Sequence, residues 1–243
     1  MKIKILSIVC LFACSTLLLA RTYSTNFPLT ENPISEGGNW INGKANGKNW
    51  SDARTTPGFA FGTETGSNGF DDSTAVVGGA WSANQTACAT AHIAPSMTAP
   101  IAEIELRLRS TITAGSITGY EINFSVTSNP YIQIVRWNGP FGSFEYVAST
   151  NGPGIHNGDR LCASIATGTN NVNTIKVTIN GGSPILTGTD STFANGSPGI
   201  GFYLQGGTSA NDSQFGWSSF TATDSSTTTT PPAAPTGLNV TVH

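Results

Sequence analysis

Five charged residues, Glu103, Glu105, Arg107, Arg109 and Glu121, crowd into one stretch of a 243-residue chain that holds only 11 Lys/Arg and 14 Asp/Glu in all. Gln133 and Trp137 follow at a spacing that puts both on one face of an extended segment. Carboxylate, guanidinium and amide groups beside a flat aromatic ring are what a sugar needs, because the ring stacks on the C–H face while the polar groups make paired hydrogen bonds to the hydroxyls. Tyr203, which shares a face with Gly199 and Gly201, would extend such a platform. Arg107, Arg109, Glu121, Gln133, Trp137 and Tyr203 are therefore the candidate carbohydrate-binding residues. The plainer alternative is a solvated sheet face held by cross-strand Glu–Arg pairs.

These residues need strands to position them. From Ala102 to Ser110 apolar and charged residues alternate strictly, so a strand puts Ile104, Leu106 and Leu108 on one face and the charges on the other, whereas a helix would scatter both sets. After a turn through Thr113-Ala114-Gly115-Ser116 the alternation resumes with Tyr120, Ile122, Phe124 and Val126, and a third run spans Tyr131 to Trp137. An antiparallel meander with one apolar and one polar face is the prediction. An opening strand is expected near Phe27-Pro28-Leu29, then a loop from Lys44 to Arg54 carrying Trp50 as a lid or a stacking platform. Short strands follow at Phe59–Gly62, Ser73–Val77, around Cys88, at Phe144–Ala148 and around Cys162. Asn173 to Ile179 runs into Asn180-Gly181-Gly182, a hairpin signal with its return strand at Pro184-Ile185-Leu186. Ser197–Leu204 and Phe215–Thr223 complete the set. No window keeps a helical period, so the expected fold is all-β, a two-sheet antiparallel sandwich.

Only 10% of residues are charged, the formal net charge is −3, and no basic run occurs, which excludes nucleic acid and anionic membrane surfaces as partners. Met1-Lys2-Ile3-Lys4, an apolar run from Ile5 to Leu19 and small Ala20 read as a signal peptide over residues 1–20, hence a secreted, extracellular or cell-surface protein with no membrane contact after cleavage. Cys10 and Cys14 leave with it. Cys88 and Cys162 remain, suited either to one disulfide in an oxidising compartment or to two free thiols in separate strands. His92, His156 and His243 are scattered, and neither zinc-ligand spacing, a Gly-x-Ser-x-Gly nucleophile nor a phosphate loop is present. Residues 21–224 form the expected domain and 225–234 a Ser/Thr/Pro linker. Residues 235–243 resemble the first strand of a truncated fibronectin type III domain, which implies further domains C-terminal to it; a docked last strand of the main domain is the alternative.

The opening aromatic turn, Gly119-Tyr120-Glu121 entering a strand, Asn157-Gly158-Asp159 before another, Ile179-Asn180-Gly181 at a hairpin and Gly196-Ser197-Pro198-Gly199-Ile200-Gly201 near the end resemble the concanavalin A-like jelly roll. That superfamily includes laminin G-like domains, legume lectins and polysaccharide-active enzymes, and the resemblance spans Phe27 to Asp224. It implies a jelly-roll sandwich. Glucanases of this fold carry Glu-x-Asp-x-x-Glu, or one residue more, on a single strand. Here Glu103 and Glu105 share a face but the third position is Leu108 or Arg109, so cation-paired, ionised carboxylates are expected rather than a raised-pKa acid. The resemblance also suggests a structural calcium tying the chain ends through Glu36 and Asp224. Asp71-Asp72 is a second hard-oxygen pair, with turn capping as its alternative. The function expected is a secreted, non-catalytic carbohydrate-binding or adhesion module of a multidomain protein, its partner a polysaccharide or cell-surface glycan. A polysaccharide-cleaving enzyme and a spacer without ligand are the alternatives.

Overall fold

The computed structural model describes residues 20–46, 50–66 and 69–225. Apart from Ala20 and Ser225, the expected signal peptide, linker and fibronectin-like segment lie outside the described residues. The strands are β1 (Thr22–Thr25), β2 (Trp40–Asn42), β3 (Arg54–Thr56), β4 (Phe59–Phe61), β5 (Ser73–Val77), β6 (Asn84–Ile93), β7 (Ile101–Thr113), β8 (Ser116–Ser125), β9 (Ile132–Gly139), β10 (Phe144–Thr150), β11 (Arg160–Thr167), β12 (Asn173–Ile179), β13 (Leu186–Asp190), β14 (Ser197–Gln205) and β15 (Phe215–Ser225). They form two antiparallel sheets. One runs β13-β12-β11-β6-β15-β4-β3, with β1 also paired to β15, and the other runs β10-β9-β8-β7-β14-β5-β2.

The predicted meander is β7-β8-β9, and its alternation sorts side chains as physical chemistry requires. Ile104 faces Phe124, Leu106 faces Ile122 and Leu108 faces Tyr120 across the β7–β8 ladder, and all are fully buried between the sheets. The opposing sheet supplies Ala87, Ala89 and Ala91 from β6, Leu161, Ala163 and Ile165 from β11, and Trp217 and Phe220 from β15. The β6 alanines leave room for large rings, and Phe124 meets Trp217 edge to face at 6.4 Å. The predicted hairpin after β12 turns through Asn180 and Gly181, both at positive φ, as a tight turn of this hand requires. Cys88 and Cys162 oppose each other on β6 and β11 and are joined as a disulfide.

Three expectations are corrected. The first strand is Thr22–Thr25, paired with the C-terminal half of β15, whereas Phe27 sits buried at positive φ where the chain leaves that strand. The stretch from Lys44 to Arg54 is not wholly loop, since it begins in one helical turn, Gly43–Asn46, and ends in β3. The return strand of the last hairpin starts at Leu186, two residues later than expected, with Val177 opposite Leu186. Among the described residues, no helix is long and apolar enough to cross a membrane.

Candidate functional site

The outer face of the second sheet carries the site, and that face is not solvated. Glu105 and Arg107 on β7 are 0% exposed, and Glu103 and Glu121 are also buried. A second apolar cluster of Trp50, Val76, Ile112, Ile117, Val135 and Trp137, joined by Phe144, roofs part of it. Trp50 contacts Trp137 at 6.0 Å and Phe141 at 5.6 Å between ring centroids, so it acts as a lid. Gly199 and Gly201 on β14 oppose Arg107 and Glu105, which leaves the centre of the sheet bare of neighbouring side chains.

Arg107 is the hub. Its guanidinium contacts Glu105 Oε2 at 2.6 Å, Asp72 Oδ2 at 3.4 Å and the Glu121 carboxylate, and it donates to Thr74 Oγ1 at 2.9 Å. The indole N–H of Trp137 donates to Glu121 Oε2 at 2.6 Å, and the Tyr131 hydroxyl donates to Glu103. Three buried carboxyl groups thus contact one guanidinium, and a fourth, Glu103, is buried nearby. Burial pushes Glu103 up to about 8, against the opposing pull of Tyr131, and the charge on Glu121 adds to the rise. Burial, then the same Glu121 charge, also drives Glu105 and Asp72 well above the usual carboxylate range. Arg107 is held above its ordinary value, since Glu121, Glu105 and Asp72 together outweigh the burial that would lower it. Of the expectation for this strand, the cation pairing is present at Glu105, which contacts Arg107, whereas burial raises both Glu103 and Glu105, because one cation does not offset the desolvation of several acids.

Above this floor lies a pocket of about 340 Å³, lined by Asp72, Glu103 and Glu121, by Gln133 and Gln205, by Ile101 and Val135, and by six aromatic residues, Phe70, Tyr131, Trp137, Phe144, Tyr146 and Tyr203. Of the candidate residues, Glu121, Gln133, Trp137 and Tyr203 line it, and Arg107 lies beneath. Trp137 is only 2% exposed and walls the pocket rather than offering an open ring face. Tyr146, at 60% exposed, and Phe70, at 44%, are the most accessible rings, and Tyr131, Phe144 and Tyr203 are partly exposed.

Arg109 does not join them, and its placement is corrected here. The β7–β8 register shifts between Leu108 and Thr111, with Arg109 at φ +47°, so the alternation breaks one residue after Leu108. Gly119 and Gly196 lie against this backbone, where a Cβ on either would strike Arg109 or Ser110. The side chain bonds Ala83 O, Asn173 Oδ1, Phe193 O and Thr167 Oγ1, a structural role away from the pocket.

The calcium residues are placed apart as well. Both carboxylate oxygens of Asp224 accept backbone N–H groups, from Arg21 and Ser82 at 2.6 Å each, while Glu36 accepts from Tyr23, Thr25 and Trp40. Protein donors meet the demand of these oxygens, and the two groups share no partner. Asp72, Glu105 and Glu121 are close enough to hold a metal, their ligand atoms lying within 4.8 Å of one another. Arg107 contacts all three, so the guanidinium fills the position a metal ion would take between them. Asp71, next in the chain, contributes no ligand to this group.

The sequence pattern missed Phe70, Tyr131, Phe144, Tyr146 and Gln205, and offered Asp72 only as a hard-oxygen or turn-capping residue. Tyr131 keeps period two with Gln133, Val135 and Trp137, a signal already in the alternation. Phe70 and Asp72 come from the loop before β5, which no periodicity reaches.

No protein-family profile matches the chain, and no curated sequence is recognisably similar to it. Solved structures are similar in shape. The carbohydrate recognition domain of Emp46p, in metal-free form, superposes with a TM-score of 0.54 at 12% identity, over 82% of this chain and 95% of that one. The same domain of Emp47p gives 0.51 at 14% identity over 84% and 96%. The exoplasmic/lumenal domain of VIP36, in its Ca²⁺/Man3GlcNAc-bound form, gives 0.54 at 10% identity over 84% and 93%. The chain has the lectin-type jelly-roll fold of these domains. At such identities the likeness extends to architecture alone.

Proposed function

We propose that this protein is a non-catalytic carbohydrate-binding module that takes a polysaccharide or cell-surface glycan into the pocket on the outer face of the β7-β8-β9 sheet. The observation that carries this reading is the lining itself, six aromatic side chains around a floor of carboxylates and amides in about 340 Å³. That combination offers stacking surfaces and fixed hydrogen-bond partners together, which is the requirement of a sugar ring. The neighbours that are carbohydrate recognition domains support the reading without deciding it. With the signal-like leader and the Thr/Pro-rich tail, the module would act outside the cell as part of a multidomain or adhesive protein.

Binding is tested on an array of plant and bacterial polysaccharides with wild type and Tyr146→Ala. Saturable retention that the substitution weakens supports the reading, and no retention of any glycan removes it. A second reading, cleavage of the glycan, draws on one specific observation: Glu103, pushed up to about 8, lines the same pocket as Glu121 and so offers an acid beside a second carboxyl. Release of reducing ends that Glu103→Gln abolishes would favour it.

A further inference from the structure

We infer that the sugar this pocket selects carries a positive charge, an amino sugar with a free ammonium group; the inference rests on the glycan reading above and narrows it. The first ground is the charge of the walls. Asp72, Glu103 and Glu121 line the pocket, and no Lys, Arg or His does so among the described residues. Arg107 is beneath and already engaged with three carboxylates. A uronic acid or sulfated sugar would find no cation in this lining to pair with.

The second ground is a hydrogen-bond audit. Several donors near the floor are taken by the protein's own acceptors: Trp137 and Arg107 give to Glu121, Tyr131 to Glu103, and Tyr203 to Gln205 at 3.0 Å, while Arg107 Nε, beneath the floor, is buried without a partner. Two buried acceptors are left over as well. Glu105 Oε1 and Asn123 Oδ1, side by side across the β7–β8 ladder on this same face, are buried and have no hydrogen-bond partner. The lining itself presents three carboxyl groups and two side-chain amides, and an ammonium group can donate to all of them.

The third ground is the rim. Tyr131, Tyr146, Tyr203, Phe70 and Phe144 surround the acidic floor, and the electron-rich faces of aromatic rings attract ammonium groups most where water is excluded. Protons compete with such a ligand. Glu103 faces Glu121, Asp72, Glu105 and Arg107 on the floor and Tyr131, Tyr146 and Tyr203 at the rim, and burial holds its proton up to about 8. An entering ammonium takes the place of protons on these carboxyls, so binding releases them to solvent.

Calorimetric titration of the full chain at neutral pH, in two buffers of different ionisation enthalpy, separates the outcomes with three probes: a glucosamine oligomer, its N-acetylated counterpart and choline. The glucosamine oligomer should bind at least about tenfold tighter than the acetylated one and release protons, and Glu103→Gln should erase the preference. Asp72→Asn serves as the second variant if Glu103→Gln does not fold. Equal or tighter binding of the acetylated oligomer, a preference that both variants retain, or no binding by any probe overturns the inference. Acetylated oligomer bound without the charged one would leave glycan binding standing and remove the charge selection. Choline bound as tightly as the glucosamine oligomer would support cation recognition and count against the glycan reading.

Discussion

Gly201 stands opposite Glu105 across the β14–β7 ladder, and its missing side chain is the space through which the Glu105 carboxylate reaches Arg107. A Cβ there would collide with Glu105 Oε2 and lie 3.1 Å from Arg107 Nε. Gly201→Ala should therefore push the carboxylate off its guanidinium and cost about 2–3 kcal/mol of unfolding free energy. Urea denaturation measures this, and an unchanged midpoint would show that the pair is not held as described.

Stability should fall as pH rises. The folded value of Glu103, about 8, lies above its ordinary 4.5, so the folded state binds the proton more tightly than the unfolded chain does. The resulting stability is fully present below 4.5 and lost as pH rises through about 8, with Glu105 and Asp72 contributing in the same direction. Glu103→Gln, which cannot ionise, should flatten the decline. Melting temperatures across this interval test the sign, and a rise in wild-type stability over it would refute the account of the floor.

The Cys88–Cys162 bridge closes a loop with a sequence separation of 74 residues. By loop-closure entropy its loss should destabilise the chain by about 4 kcal/mol. The double variant Cys88→Ser/Cys162→Ser, compared with wild type with and without reductant, measures that loss. Reductant should move the wild-type midpoint and leave the variant's alone.

Calcium should not contribute. Arg107 occupies the one three-carboxylate group found among the described residues, and Glu36 and Asp224 are engaged by protein donors. EDTA and added Ca²⁺ should both leave the melting temperature where it is, whereas a shift of several degrees with either would place a structural ion in this protein.

Much of the fold can be read from alternation, because a sheet with one buried face imposes period two on its sequence. The β7-β8-β9 meander, β12 and the Asn180-Gly181 turn are legible for that reason. Alternation says which side chains share a face, but not what covers that face. Nothing in the charged row of β7 announces that Trp50, Phe144 and the loop holding Asp72 would bury it and turn ordinary ion pairs into a crowded acidic floor. Nor does it reveal a bulge. Arg109 keeps perfect register in the sequence and still points elsewhere, since the positive φ at that residue shifts the ladder. Strands as short as β1 and β3 carry too few residues for any period to show.

Chemical-shift mapping of isotope-labelled full-length protein, titrated with the saccharide best retained on the array, tests the central claim most directly. The account predicts saturable shifts at the Trp137 indole N–H, the Gln133 side chain and Tyr203, with affinity about tenfold weaker in Tyr203→Ala at an unchanged melting temperature. Shifts confined to the outer face of the other sheet, around β11 and β12, or binding indifferent to Tyr203→Ala and Tyr146→Ala, would contradict it.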